Sequence, residues 1–328
     1  MSDPGTRKAD ATHAEIAKRL HTVYGAAARD IVDRLDKYQR RLIVEDARRR
    51  QLVKAGKLDE KEYQAWLSDQ VYRGKTWRDQ VSDLTAAMLD VNRQAARIIN
   101  GEQIDVFVEN ANYTAYSLAM DTRAAVNWTL YDRAAVTRLI RNQPGLLPHK
   151  TVNAAKDTAW NRKTIAAEVA RGILSGASIP EIAENLGKAL GSKNEKAMVR
   201  YARTAMTGAQ NAGRMEMLQD AERMGIRVKK TWLATLDAAT RAAHRSLDGQ
   251  TQPIDRPFDS ELGEIMYPGD PAADPANTWN CRCTLIYETE EYPLQDAMRY
   301  DQKYGEDIDY MDYEEWEEWI ENGRDGDF

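Results

Sequence analysis

Lys230-Thr231-Trp232-Leu233-Ala234-Thr235-Leu236-Asp237-Ala238-Ala239-Thr240-Arg241-Ala242-Ala243-His244-Arg245-Ser246-Leu247-Asp248-Gly249-Gln250 is followed downstream by Asn280-Cys281-Arg282-Cys283-Thr284-Leu285. Together these stretches hold both cysteines and one of the four histidines of the chain. Residues 226–234 alternate enough for a strand, and residues 239–247 suit a short helix capped by Asp237 and closed by Gly249. Residues 250–254 and 279–288 read as returning strands, with Cys281, Cys283, Leu285 and Tyr287 on one side of the second and Arg282, Thr284 and Ile286 on the other. The interval 257–276 is rich in Pro, Gly and Asp and is expected to be a long ordered loop. The result is a small α+β module over residues 226–288.

Upstream the pattern is helical. Residues 12–50 carry Ile16, Leu20, Val23, Ala27, Ile31, Leu35, Tyr38 and Leu42 at steps of three and four, one apolar stripe opposite Lys18, Arg34, Lys37, Arg40 and Arg41. Residues 63–100 and 106–141 continue in this manner, with Trp66, Trp77, Leu84, Met88, Ile98, Tyr116, Met120, Val126, Tyr131 and Leu139 as expected core contacts. Gly101 and the Pro144 to Pro148 segment punctuate them. A helix over 160–174 stops at Gly176, and Ser178-Ile179-Pro180-Glu181 is a capping box opening another to about residue 190. A further helix over 195–224 exposes small residues, Ala202, Ala205, Ala209, Ala212 and Gly213, to a close neighbour, and Gly225 ends it. The fold class is mainly α with a small C-terminal α+β module and an elongated helical N-terminal region. The expected divisions are a disordered N-terminus (1–11), a helical N-terminal domain (12–143), a helical lead-in (150–225), the module (226–288) and an acidic aromatic tail (289–328).

Charge divides the same way. Sixteen Asp and Glu against three Lys and Arg from residue 288 onward put about −13 there and about +7 on the residues before it, within a net charge of −6. So mild a surplus admits nucleic acid without requiring it. In the tail, Tyr310, Tyr313, Trp316, Trp319 and Ile320 line one face of a short helix, suited to anchoring a partner or to folding back on the chain's own body. No stretch has the length and apolarity of a membrane span and the first residues lack an apolar signal core, so a soluble, non-secreted protein in a reducing compartment is expected. Gly74-Lys75-Thr76 resembles the end of a phosphate-binding loop, but Asp69 stands where its first glycine belongs, so no nucleotide cradle is expected.

Three chemistries compete at the module. Cys281 and Cys283 as thiolates and His244 as an imidazole could hold zinc, with Asp237, Asp248 or water as fourth ligand. Alternatively the cysteines are small buried strand residues, and His244 and Arg241 hydrogen-bond the loop in place. Asp237, Arg241 and His244 could also act as acid, anion clamp and general base in phosphodiester cleavage. The short turn between the helices at 160–174 and 178–190 suggests a DNA-reading helix-turn-helix, but Glu181 and Glu184 would face the phosphates.

The order and spacing of several blocks resemble the head-morphogenesis domain of tailed-phage minor head proteins, the phage Mu F-like group. The blocks are Ala202-Arg203-Thr204, Gln210-Asn211-Ala212-Gly213-Arg214, Trp232 to Asp237, Thr240-Arg241-x-x-His244-x-x-Leu247-Asp248-Gly249, Pro268-Gly269-Asp270-Pro271 and Asn280-Cys281-Arg282-Cys283. The resemblance implies a structural, non-catalytic minor head protein located in the virion head, and in the host cytoplasm during assembly. Its implied partners are the portal protein, the major capsid or scaffolding protein and packaged DNA; the long apolar stripe of the N-terminal helices separately suggests packing on a helical neighbour or self-association with a second copy, and the hydropathy implies no membrane. Trp232, Asp237, Arg241, His244, Asp248, Gly249, Pro268, Asn280, Cys281, Arg282 and Cys283 are then structural motif residues. Some members carry further Cys and His where this chain has Arg241 to His244 and Asn277 to Asn280, so the resemblance favours no cofactor here, with zinc the one candidate. A nuclease centred on His244 and a non-catalytic DNA-binding protein are the alternatives.

Overall fold

The computed structural model describes residues 3–72, 75–122, 128–289, 298–301 and 303–321; the side chains of residues 36–39, 41, 71–72 and 75–77 are outside the description. Val126, the side chains of Tyr38, Trp77, Lys37 and Arg41, and Gly74 therefore lie outside the described residues. In chain order the elements are α1 (Pro4–Lys54), α2 (Glu60–Tyr72), α3 (Lys75–Thr122), α4 (Arg133–Asn142), α5 (Ala154–Leu174), α6 (Ile179–Arg223), β1 (Lys229–Leu233), α7 (Ala242–Arg245), β2 (Thr251–Pro253), β3 (Phe258–Ser260), β4 (Gly263–Ile265), α8 (Pro275–Thr278), β5 (Thr284–Glu288), β6 (Met298–Asp301), β7 (Glu306–Asp309) and α9 (Tyr313–Glu321). The fold is mainly α, with small sheets confined to its C-terminal part. No helix among the described residues is long and apolar enough to cross a membrane. The chain forms two compact units, one of Ala17–Ile98 and Thr151–Val199, the other of Met1–Ile16, Ile99–Lys150 and Arg200–Phe328.

The first unit is helical throughout. Leu20, Tyr24, Ile31 and Leu35 of α1 are buried, as are Tyr63 and Leu67 of α2, Leu84 and Met88 of α3, Ile165 and Val169 of α5, and Leu186 and Leu190 of α6. Steps of four and seven put each set on one helix face. One polar chain crosses this core: Tyr24 donates to Asn92 (2.7 Å), Asn92 to Asn194 (3.0 Å) and Asn194 to Asn161 (3.1 Å). The capping box at the start of α6 forms, with the Ser178 backbone N–H donating to Glu181 at 2.6 Å; bonds from the Ser178 backbone and hydroxyl hold the Glu181 carboxyl below its ordinary value. α6 then runs unbroken past residue 190, where two helices were expected. Gly187 and Gly191 are packing positions there: an added Cβ would lie 2.7 Å from the Ala28 carbonyl oxygen at the first and 3.1 Å from that of Tyr24 at the second.

In the second unit, residues 4–11, expected to be disordered, form the opening turns of α1. Asp3 caps them, accepting from the Thr6 backbone and hydroxyl, and receives the Arg214 guanidinium at 2.6 Å. α3 passes through Gly101, where a break was expected, because the buried Ile99, Val106 and Phe107 anchor both flanks. Tyr116 and Met120, expected in the core, are exposed at 62% and 60%. The buried stripe of α3 here is Phe107, Ala111, Thr114 and Leu118, and at 100° per residue the two fall on the opposite side.

The strands form an antiparallel sheet of order β2-β1-β5 and two hairpins, β3-β4 and β6-β7. β1 is central, pairing Thr231 with Thr251 on one side and Trp232 with Leu285 on the other. The interval 257–276, expected to lack regular structure, contains the β3-β4 hairpin and the start of α8. Phe258 pairs across the hairpin with Ile265 and both are buried, which gives so short a ladder its anchor. Ala202, Ala205, Ala209 and Ala212 of α6 are fully buried. Gly208 admits the 268–271 loop: an added Cβ would sit 2.8 Å from the Gly269 carbonyl oxygen, and Gly269 itself holds φ +83.

Candidate functional site

His244, Cys281 and Cys283 are buried together, with their donor atoms all within 4.8 Å of one another. His244 comes from α7, a single turn. The expected helix over 239–247 shortens to four residues because Arg241 stays extended (φ −71, ψ 148) and the Thr240 hydroxyl turns back to the Thr235 carbonyl at 2.6 Å. Asp237 caps that turn through the Ala239 N–H (2.9 Å) rather than capping α7. The His244 ring meets the edge of Trp232 from β1 at 5.0 Å, and Trp232 in turn meets Phe258 at 5.4 Å.

The cysteines were expected inside a strand, yet β5 begins only at Thr284. Asn280 adopts φ 54, a left-handed conformation that Asn tolerates, and this interrupts the extended run. In place of ladder partners, a polar stripe of α6 takes up the backbone. Thr204 accepts from the Asn280 N–H (2.9 Å), Thr207 donates to the Cys281 carbonyl (2.7 Å), and Asn211 donates to the carbonyls of Pro268 (3.0 Å) and Cys283 (3.2 Å) while accepting from the Leu285 N–H (2.7 Å). Arg214 donates to the Leu285 carbonyl at 3.0 Å.

The His244 ring is oriented from its far side. Its Nε2 lies 3.0 Å from Asn277 Oδ1, and Asn277 is itself fixed because its Nδ2 donates to the Gly263 carbonyl at 3.0 Å. Nε2 therefore carries the proton in the neutral ring, and the Nδ1 lone pair faces both sulfurs, each at 3.5 Å. Burial pushes the Cys283 thiol well up. Burial pushes in the same direction at Cys281, but bonds from the Cys283 thiol and N–H and the charges of Arg241 and Arg282 outweigh it, leaving that thiol below its ordinary value.

The remaining motif residues each have a separate partner. Asp237 is bonded by both terminal nitrogens of Arg282; burial raises its carboxyl, and Arg282 with the Ala239 N–H more than offsets this. Arg241 donates to the carbonyls of Ala276 and Trp279, which pins the segment leading to the cysteines. Asp248 accepts from the Ala234 N–H and forms a buried ion pair with Arg299 of β6 at 2.7 Å. Gly249, at φ 71, donates its N–H to the Trp232 carbonyl. Neither Asp237 nor Asp248 belongs to the cluster of His244, Cys281 and Cys283.

The tail is seated on the same body. Tyr313 donates to the Asp237 carbonyl (2.8 Å), Trp316 to Asp301 (2.9 Å), and Arg245 pairs with Glu317 (3.1 Å). Of the two readings of its aromatic face, folding back is the arrangement adopted by Tyr313 and Trp316, both buried. Sequence reasoning assigned no role to Asn277 or Arg299. Thr204, Thr207, Asn211 and Arg214 did leave a signal: polar residues at steps of three and four inside a helix otherwise lined by alanine.

Residues 163–286 match the family described as phage Mu protein F like protein. The minor head protein GP7 of Bacillus phage SPP1 is 30% identical over 182 residues, covering 55% of this chain and 58% of that protein. The NAD(+)--arginine ADP-ribosyltransferase EFV of Enterococcus faecalis (strain ATCC 700802 / V583) is 30% identical over 161 residues, covering 44% of this chain and 32% of that protein. The chain thus spans less than two thirds of either relative. No solved structure matches it significantly. Across the segment that carries α6, His244 and the Cys281/Cys283 pair, the chain is similar to the phage Mu F-like family.

Proposed function

We propose that the chain is a minor head protein of a tailed bacteriophage, a structural component of the virion head that acts in head morphogenesis near the portal and in DNA packaging or delivery. The observation that carries this reading is the 182-residue similarity to a phage minor head protein, together with the family segment. The module supports it chemically. His244 is 1% exposed and enclosed by Trp232, Asn277 and two thiols, while Asp237 and Arg241 are spent on Arg282 and on two carbonyls. With His244 buried and the partly exposed Asp237 and Arg241 engaged by Arg282 and by two carbonyls, the arrangement favours a bracing role over general-base work.

The ADP-ribosyltransferase similarity covers a third of that protein, so its named activity is carried by a chain most of which has no counterpart here. In the structural reading the partners are the portal, the major capsid or scaffolding protein and packaged DNA, with self-association through the long helices. Proteomics of purified particles tests the reading: the chain is expected in mature heads at low copy number, and its absence from them overturns it. Hydrolysis of DNA or RNA by the purified protein, abolished by His244→Ala, would favour the nuclease instead.

A further inference from the structure

We propose that His244, Cys281 and Cys283 form a binding site for one thiophilic divalent cation, with zinc as the probe. The geometry carries the proposal. Zn–S and Zn–N bonds of about 2.3 and 2.0 Å at tetrahedral angles place sulfur and nitrogen about 3.5 Å apart. Nδ1 of His244 lies 3.5 Å from Cys281 Sγ and 3.5 Å from Cys283 Sγ. A single imidazole lone pair accepts one good hydrogen bond, so two sulfurs at equal distance fit donors arranged around a common centre better than a thiol hydrogen bond.

Asn277 supplies a second, independent feature. Ligating histidines ordinarily donate their other ring N–H to a fixed acceptor, which sets the tautomer. Asn277 Oδ1 is such an acceptor, 3.0 Å from Nε2 and locked by its bond to Gly263, with Ser260 donating to the same oxygen at 3.3 Å. Asp237 and Asp248 are committed to Arg282 and Arg299, so a water molecule completes the coordination. On binding, the cysteines enter as thiolates and release their protons to solvent. The ion would join a one-turn helix without a side-chain cap to a segment without ladder partners, a brace where the backbone supplies none.

The test uses the full chain, purified under reducing conditions without chelator. Elemental analysis should find about one zinc per chain. Cobalt(II) added to the stripped protein should give the near-ultraviolet thiolate-to-metal absorption of a tetrahedral site. Cys281→Ser or Cys283→Ser should weaken that band. Asn277→Leu should lower affinity about 10- to 100-fold, while Asn277→Asp, which keeps an acceptor, should stay near wild type. The proposal is overturned if the wild-type chain gives no thiolate-to-cobalt band with both thiols reduced, or if zinc content is unchanged in the double Cys281→Ser/Cys283→Ser variant.

Discussion

The two units solve the same problem by different means. In the helical unit, main-chain polar groups bond largely within each helix, and side chains mainly supply apolar contact along a stripe, crossed by the polar chain from Tyr24 to Asn161. In the other unit, strands of three to five residues satisfy little of their own backbone, and Thr207, Asn211, Arg214, Arg241 and Arg299 bond carbonyls that no strand reaches. Stability in the first is spread over many replaceable contacts. In the second it is concentrated in a few polar side chains, each with several partners, so substitutions should have sharply different costs in the two places.

The strongest challenge to that contrast is Arg299→Leu. It strips the countercharge from buried Asp248 and a donor from the carbonyls of Ala234 and Met311, and should cost about 4 kcal/mol in urea unfolding. A loss below about 1 kcal/mol would break the comparison. Next is Lys230, wholly buried and donating to the Met266 carbonyl at 2.9 Å. Burial lowers its pKa to about 8, against the opposing charges of Asp270 and Asp255. Between there and its ordinary value of 10.5 the unfolded chain holds a proton that the folded chain has lost, so this residue makes stability rise with pH over that window. Wild type should gain about 3 kcal/mol relative to Lys230→Met between pH 8 and pH 10.5, measured by denaturant titration at each pH.

In the helical unit, Gly187→Val would drive a side chain into the Ala28 carbonyl and Val32, at a cost of about 2 to 3 kcal/mol by thermal melting. A comparable figure is expected from Asp3→Asn at neutral pH. Burial raises the Asp3 carboxyl, and Arg214 and Thr6 more than reverse this, leaving it at about 2 against 3.8. A depressed carboxyl contributes stability above its unfolded value and loses it as pH falls through its folded one. The Asp3→Asn penalty of about 2 kcal/mol should therefore vanish near pH 2. Smallest, and opposite in sign, Gly101→Ala should stabilise by about 0.7 kcal/mol, because the added methyl meets nothing within 4 Å and the helix already runs through this position.

Legibility followed the same division. The α1 stripe of Ile16, Leu20, Ile31 and Leu35 was readable because burial on a regular helix repeats along the chain. Helix breaks at Gly101 and near residue 190 were misplaced, since a glycine that a helix runs through and one that ends a helix look identical in sequence. Tyr116 and Met120 are apolar and periodic, but their phase is set by the packing of Phe107 and Leu118. In the module, the grouping of His244 with the cysteines could be suspected from residue type. The role of Asn277 could not: it lies 33 residues from His244 and depends on a hydrogen bond between two short elements. Arg299 was hidden similarly, because a lone basic residue in an acidic tail reads as surface.

The Asp248–Arg299 pair separates two boundaries that are easily taken as one. The match to the family ends at residue 286, but the cation that neutralises the carboxylate at 248 is supplied beyond it, at 299. A polypeptide trimmed to the resemblance would carry a desolvated negative charge with nothing to balance it. What is inherited as a segment is here narrower than what folds as a body, and the acidic extension belongs to the latter.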